Sequence, residues 1–140
     1  MLLDNQTPGF VLLVDDEQAV VELMKAVLTA DGYRVVTAPD GLSAWSAIEA
    51  SGGAIDLVIT DVIMPEMDGL ELSSRLRINY PDLPVLLITG FVSRGIQEYV
   101  TGRVSLLQKP FTPKKLLTSV RSALQPTLAA SSPAGDAAAA

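Results

Sequence analysis

The sequence predicts an α/β fold: a doubly wound, five-stranded parallel sheet with helices on both faces. Two observations predict it. Short, unbroken apolar runs alternate along the chain with segments whose apolar residues recur at helical spacing. The strongest runs are apolar at every position rather than at alternate ones, which is the pattern of strands covered on both faces. Parallel neighbours need a crossover between them, and right-handed crossovers place helices on either side of the sheet.

Val11-Leu12-Leu13-Val14 is the first strand. Val20, Leu23, Met24, Val27 and Leu28 follow at i, i+3, i+4, i+7 and i+8 and predict an amphipathic first helix. Arg34 to Ala38 is more polar, which suits an outer strand, and Leu42, Trp45 and Ile48 mark a second helix. Leu57-Val58-Ile59 is the third strand. A third helix runs from Gly69 to Tyr80 and stops before Pro81, because the residue before a proline is pushed out of the helical region. Asp68 is placed to cap it, and Gly69 to allow a tight turn. Val85-Leu86-Leu87-Ile88 is the fourth strand, Ser93 to Val100 a weak and short fourth helix, and Ser105 to Gln108 the second outer strand. Leu116, Leu117, Val120 and Leu124 give the last helix its apolar stripe. Residues 1–8 and the stretch PTLAASSPAGDAAAA over 126–140 have little to bury against the entropy of ordering. They predict a flexible N-terminus and a disordered tail or truncated linker around a folded unit spanning 9–125.

Composition narrows the chemistry. A chain of 140 residues, 49% apolar and 19% charged, is one soluble domain by the length prior. No apolar run approaches the roughly 18 to 20 residues of a membrane span, and the start Met1-Leu2-Leu3-Asp4 lacks the basic opening of a signal peptide, so the expected location is cytoplasmic. The absence of Cys excludes disulfides, thiol nucleophiles and thiolate metal sites, and the absence of His excludes imidazole bases and histidine-ligated zinc. Ten Lys and Arg against sixteen Asp and Glu give a net charge of -6, which argues against direct nucleic-acid binding. Neither G-x-G-x-x-G nor G-x-x-x-x-G-K-[ST] occurs, so a flavin or nucleotide carrier is a weak alternative.

In a doubly wound sheet the ligand site lies at the carboxyl edge of the strands. The residues that end these strands are Asp15-Asp16 after the first, Asp61 after the third, Thr89 after the fourth and Lys109 after the fifth. Three carboxylates, one hydroxyl and one ammonium thus converge on one mouth. Crowded like charges raise one another's pKa unless something compensates, and a hard divalent cation such as Mg²⁺ does so while leaving room for a phosphate oxygen. A carboxylate can also attack phosphorus itself to give an aspartyl phosphate.

The pair Asp15-Asp16 after an apolar strand, the run from Asp61 to Gly69 (DVIMPEMDG), Thr89-Gly90 and Lys109-Pro110-Phe111 together resemble the receiver domain of two-component response regulators. The likeness covers about residues 9–125, and some of its variations are familiar from receivers attached to hybrid histidine kinases. The resemblance implies the flavodoxin-like strand order 2-1-3-4-5. It implies that Asp61 is the phosphoacceptor, taking a phosphoryl group from the phosphohistidine of a histidine kinase or histidine phosphotransfer protein. It further implies that Asp16, Asp61 and the Ile63 backbone carbonyl bind Mg²⁺, with Asp15 acting mainly through water. Thr89 would be the hydroxyl switch, and Lys109, beside a cis bond to Pro110, would pair with the phosphoryl oxygens. Such a domain is a regulator rather than an enzyme: it catalyses its own phosphorylation and slow dephosphorylation and changes its surface for a downstream protein. No output domain fits in residues 126–140, so output would lie in a partner or in residues outside this chain. Family habit and the basic residues after Gly102 also imply a phosphorylation-dependent homodimer.

The chain departs from the family's pattern in two places. Leu106 stands where many receivers carry Tyr or Phe, which puts aromatic gating in doubt, and the span from Thr89 to Lys109 is short for a full fourth helix. Two other functions compete with the receiver reading. A phosphohydrolase using an aspartyl phosphate would carry a second Asp two residues after the nucleophile, where Ile63 stands. A phosphate-independent, receiver-like interaction scaffold would dispense with Mg²⁺. Simpler roles exist for single residues as well. Asp15-Asp16 could only cap the first helix, Trp45 and Tyr99 are packing or surface residues, and the cluster Arg103, Lys109, Lys114, Lys115 and Arg121 is either a partner face or a solvated helix face.

Overall fold

Apolar side chains on consecutive strand positions point to opposite faces, so an all-apolar strand must be covered twice. The computed structural model, which describes residues 9–64, 67–90 and 94–125, covers them that way. The elements run β1 (Phe10–Val14), α1 (Gln18–Ala30), β2 (Arg34–Ala38), α2 (Gly41–Ser51), β3 (Leu57–Asp61), α3 (Gly69–Asn79), β4 (Val85–Thr89), a 3-10 segment (Arg94–Tyr99), β5 (Val104–Gln108) and α4 (Pro113–Ala123). All pairings are parallel, in the order β2-β1-β3-β4-β5, so the two more polar strands stand at the edges. Val11, Leu13, Leu57, Ile59, Leu86 and Ile88 pack on one face with Met24, Leu28, Leu116 and Val120 of α1 and α4. Leu12, Val14, Val58, Val85 and Leu87 pack on the other with Ala44 and Ile48 of α2, Leu72 and Leu76 of α3, and Ile96 of the 3-10 segment. The predicted flexible residues 1–8 and 126–140 lie outside the described residues, as does Ser93 at the predicted start of the fourth helix.

Local signals set the helix ends. The Asp68 carboxylate accepts from the Glu71 amide at 2.9 Å and caps α3 as expected, and Thr112 does the same for α4 from Lys115 at 3.0 Å, with Pro113 as the first helical residue. Tyr80, ahead of Pro81, ends α3.

Three expectations change. The apolar face of α1 is rotated: Val21, Met24 and Leu28 meet the sheet while Leu23 is 66% exposed. Val20, Leu23 and Val27 face sideways instead and line, with Phe111 and Leu116, an open cavity of about 400 Å³. Leu42, counted on the inner face of α2, is exposed, and Gly41 and Ala44 take the buried positions beside Ile48. The fourth helix is a single 3-10 segment rather than an α-helix. Among its described side chains only Ile96 is buried, so no apolar stripe exists to dock a longer helix.

Candidate functional site

β1 leads straight into Asp15, whose amide still donates to the Ala38 carbonyl of β2 at 3.1 Å. The chain then turns out of the sheet, and Asp15 Oδ1 accepts the Glu17 amide at 2.9 Å. Capping does not account for the pair, because the residue before α1 is Glu17 and makes no side-chain cap bond. Asp15 is buried, whereas Asp16 is exposed at the rim. Asp61 is the last residue of β3 and pairs with Ile88 of β4; the next amide, Val62, donates to the Ile88 carbonyl at 3.0 Å. Each of Asp15, Asp16 and Asp61 offers a carboxylate oxygen, and these oxygens all lie within 4.8 Å of one another.

Thr89 ends β4 and is buried. Its carbonyl accepts the Lys109 amide at 2.8 Å, which ties the end of β5 to the end of β4. The Lys109–Pro110 bond is cis. Lys109 Nζ lies 3.8 Å from Asp61 Oδ2. Ile63 sits two residues beyond Asp61 with its side chain 71% exposed. All six sequence-predicted positions therefore fall at the carboxyl edge or in the loop that leaves it.

Charge at the mouth is out of balance. Among the described residues three carboxylates meet one ammonium, so full ionisation leaves a local excess of negative charge. Burial pushes the Asp61 carboxyl above the usual carboxylate range, the Asp15 charge pushes it further, and Lys109 opposes both. Asp15 is raised in the same way, first by burial, against the lowering effects of the Glu17 amide and Lys109. The clustered carboxylates of Asp15, Asp16 and Asp61 form an all-oxygen donor set, which suits a hard divalent cation.

Two glycines near the site are fixed by space rather than by backbone angle. Gly69 donates its amide to Val62 O at 2.9 Å, and a Cβ there would run into the Asp61 carbonyl oxygen and lie 2.9 Å from Val62 Cα. The expected turn role of Gly69 is thus a close-approach role, since its φ is not positive. Gly41, which sequence reasoning passed over, holds the far end of the same loop through the Met67 carbonyl at 3.2 Å. Its signal in the sequence, Asp40-Gly41 at a helix start, reads as ordinary capping.

The model of the response regulator receiver domain family matches residues 11–121. The chain belongs to this family. Among its relatives, the sensor kinase CckA of Brucella abortus (strain 2308) is 37% identical over 117 residues, which are 82% of this chain and 12% of that kinase. The response regulator MprA of Mycobacterium sp. (strain KMS) is 38% identical over 122 residues, 86% of this chain and 52% of that protein. The receiver thus spans about half or less of these relatives. The crystal structure of the response regulator TrrA from Thermotoga maritima, in complex with Mg²⁺–BeF, superposes with a TM-score of 0.74 at 30% identity, over 83% of this chain and 99% of that one. No helix among the described residues is long and apolar enough to cross a membrane.

Three of the five basic residues after Gly102 are engaged internally. Arg103 donates to the Ala123 and Gln125 carbonyls at 3.1 and 2.9 Å, Arg121 pairs with Asp31 at 3.0 Å, and Lys109 faces Asp61. Lys114 and Lys115 remain exposed at the start of α4.

Proposed function

We propose that this receiver, over residues 9–125, is a cytoplasmic phosphoacceptor. Asp61 takes a phosphoryl group from the phosphohistidine of a histidine kinase or histidine phosphotransfer protein, and the domain then switches its partner-binding surface for a downstream protein. The observation that carries this reading is the convergence at one sheet edge: three carboxylate oxygens within 4.8 Å of one another, with Lys109 Nζ 3.8 Å from Asp61 Oδ2. Mg²⁺ fits this donor set: Asp16, Asp61 and the Ile63 carbonyl would hold it, with Asp15 acting through water. When bound it neutralises phosphoryl oxygen charge.

The residues of the chain do the rest. An Asp61 carboxylate oxygen attacks phosphorus in line; the new P–O bond forms as the P–N bond of the donor breaks. The imidazole nitrogen keeps that electron pair and is protonated from solvent. Lys109 stands close enough to turn from the Asp61 carboxylate to the incoming phosphoryl oxygens, and the Thr89 hydroxyl donates to another, coupling the modification to β4 and the 3-10 segment beyond it. Ile63 brings no acid or base to the position where a phosphohydrolase would carry one. Hydrolysis is therefore slow and the domain acts as a regulator.

Intact-protein mass after incubation with Mg²⁺ and acetyl phosphate tests this. The natural sequence is expected to gain one phosphoryl group, lost in Asp61→Asn and blocked by chelation. If acetyl phosphate, a panel of phosphohistidine donors and beryllofluoride all leave the protein unchanged, the phosphate-independent scaffold replaces this reading.

A further inference from the structure

The loop that leaves Asp61 has to present the Ile63 carbonyl, yet Ile63 itself is 71% exposed and has no buried side chain to hold it. Its position is set by what pins the loop on either side. On the near side the Val62 amide donates to Ile88 O at 3.0 Å and the Val62 carbonyl accepts from Gly69 at 2.9 Å. On the far side two side chains enter the core beneath α2 and α3: Met64, next to Ile63 and 8% exposed, and then Met67, 3% exposed. The Met67 carbonyl accepts the amide of Gly41, the first residue of α2, at 3.2 Å. That amide is one of the donors a helix start leaves without an intrahelical partner, so the contact serves helix and loop together.

Only glycine permits this contact. Gly41 is buried and has no positive φ, so its backbone is open to any residue; the restriction is space. A Cβ at Gly41 would run into the Met67 carbonyl oxygen and lie 2.7 Å from Met67 Cβ and 2.9 Å from its Cγ. Met67 cannot retreat, because the core closes behind it, and so the strain of any side chain passes into the loop.

We infer that Gly41 is a positioning residue for the phosphoacceptor loop: by keeping its own Cβ out, it lets α2 seat Met67 and thereby fixes where the loop offers its oxygen to Mg²⁺. This deepens the proposed function and rests on it. Gly41 touches neither metal nor phosphate.

Calorimetric titration with MgCl₂ tests it on three forms of the chain. Gly41→Ala is expected to weaken Mg²⁺ binding roughly tenfold or more, the range seen when an outer support of a metal site is lost. Ile48→Ala, two turns along the same helix, opens space in the same core without pressing on Met67, and is expected to lower thermal stability while keeping Mg²⁺ affinity within about twofold. A folded Gly41→Ala that binds as the natural protein does overturns the inference. So does an Ile48→Ala that loses as much affinity as Gly41→Ala, which would make the effect a general loss of packing. Should Gly41→Ala not fold, hydrogen exchange on the natural protein decides: coupling is reciprocal, so Mg²⁺ must slow exchange of the Gly41 amide, and unchanged exchange overturns the inference. A natural protein that binds no Mg²⁺ overturns the proposed site and this inference with it.

Discussion

Burial lifts the Asp61 carboxyl, the neighbouring Asp15 charge adds to it, and Lys109 takes part of it back; Asp15 is lifted by its own burial. Both folded-state values therefore stand above the unfolded reference of 3.8. The folded protein holds these protons more tightly than the unfolded chain does. The stability this gives is complete below the unfolded value and is lost as pH rises through the folded values, so that at neutral pH both ionised groups weigh against the metal-free fold. Removing one of the charges is expected to help. In chelator at pH 7, Asp61→Asn is predicted to melt above the natural protein, with the gap shrinking as pH is lowered through the raised folded-state value and the natural carboxyl takes up its proton. Mg²⁺ is predicted to raise the natural protein's Tm and leave the variant's nearly unchanged. A variant that melts below the natural protein in chelator would contradict the account. The residues of this site were legible because each follows an apolar strand. The upward shifts of Asp15 and Asp61 come first from burial, which only the fold sets.

Among the elements, the 3-10 segment Arg94–Tyr99 has the least holding it. Ile96 is its buried side chain among those described, seated in the core of the α2 and α3 face, with Tyr99 only partly buried beside it. Ile96→Ala removes that anchor at a cost of about 2 kcal/mol or more. Because so few contacts tie the segment down, the loss is expected locally: amides of 94–99 should exchange at least roughly tenfold faster while those of β1 and β3 keep their protection. Uniform acceleration across the sheet would show that the segment opens only with the whole domain. The same weakness leaves the segment beyond Thr89 cheap to move, and Leu106, packed partly buried against the same cluster, is aliphatic where many receivers carry a ring. The sequence marked this element as short because the span from Thr89 to Lys109 leaves little room for a full helix. It misjudged the face of α1 because apolar residues on adjoining sides of one helix make several stripes plausible, and only the neighbouring α4 separates the residues that meet the sheet from those that line the cavity beside it.

At the scale of the molecule, the edge that carries Asp61 and the end of the fold lie at opposite poles of the sheet. Arg103, before β5, clasps the carbonyls of Ala123 and Gln125 and so closes the end of α4 against the far edge. Together with the Arg121–Asp31 pair, which ties α4 to α1, this commits basic residues to internal structure that the sequence left open as a partner face. Lys114 and Lys115 are what remains of that patch for a partner to meet. Phosphorylation-dependent self-association, carried over from the family resemblance, predicts a faster-sedimenting species after phosphorylation. Equal sedimentation of the modified and unmodified protein would remove it.

The sequence by itself determined the layers, the strand count and which residues end the strands at the carboxyl edge. An all-apolar run can be satisfied only by cover on both faces, and a carboxylate placed straight after such a run has to emerge at the sheet's edge. Tertiary structure decided what depends on distance. It set which side of α1 meets the sheet, how Asp61 and Lys109 stand at 3.8 Å, and why Gly41 and Gly69 must lack a side chain. Those glycines are spaced 28 residues apart by the chain and brought to one loop by the fold. No local pattern records such a meeting, because the atom that forbids a Cβ belongs to another part of the sequence.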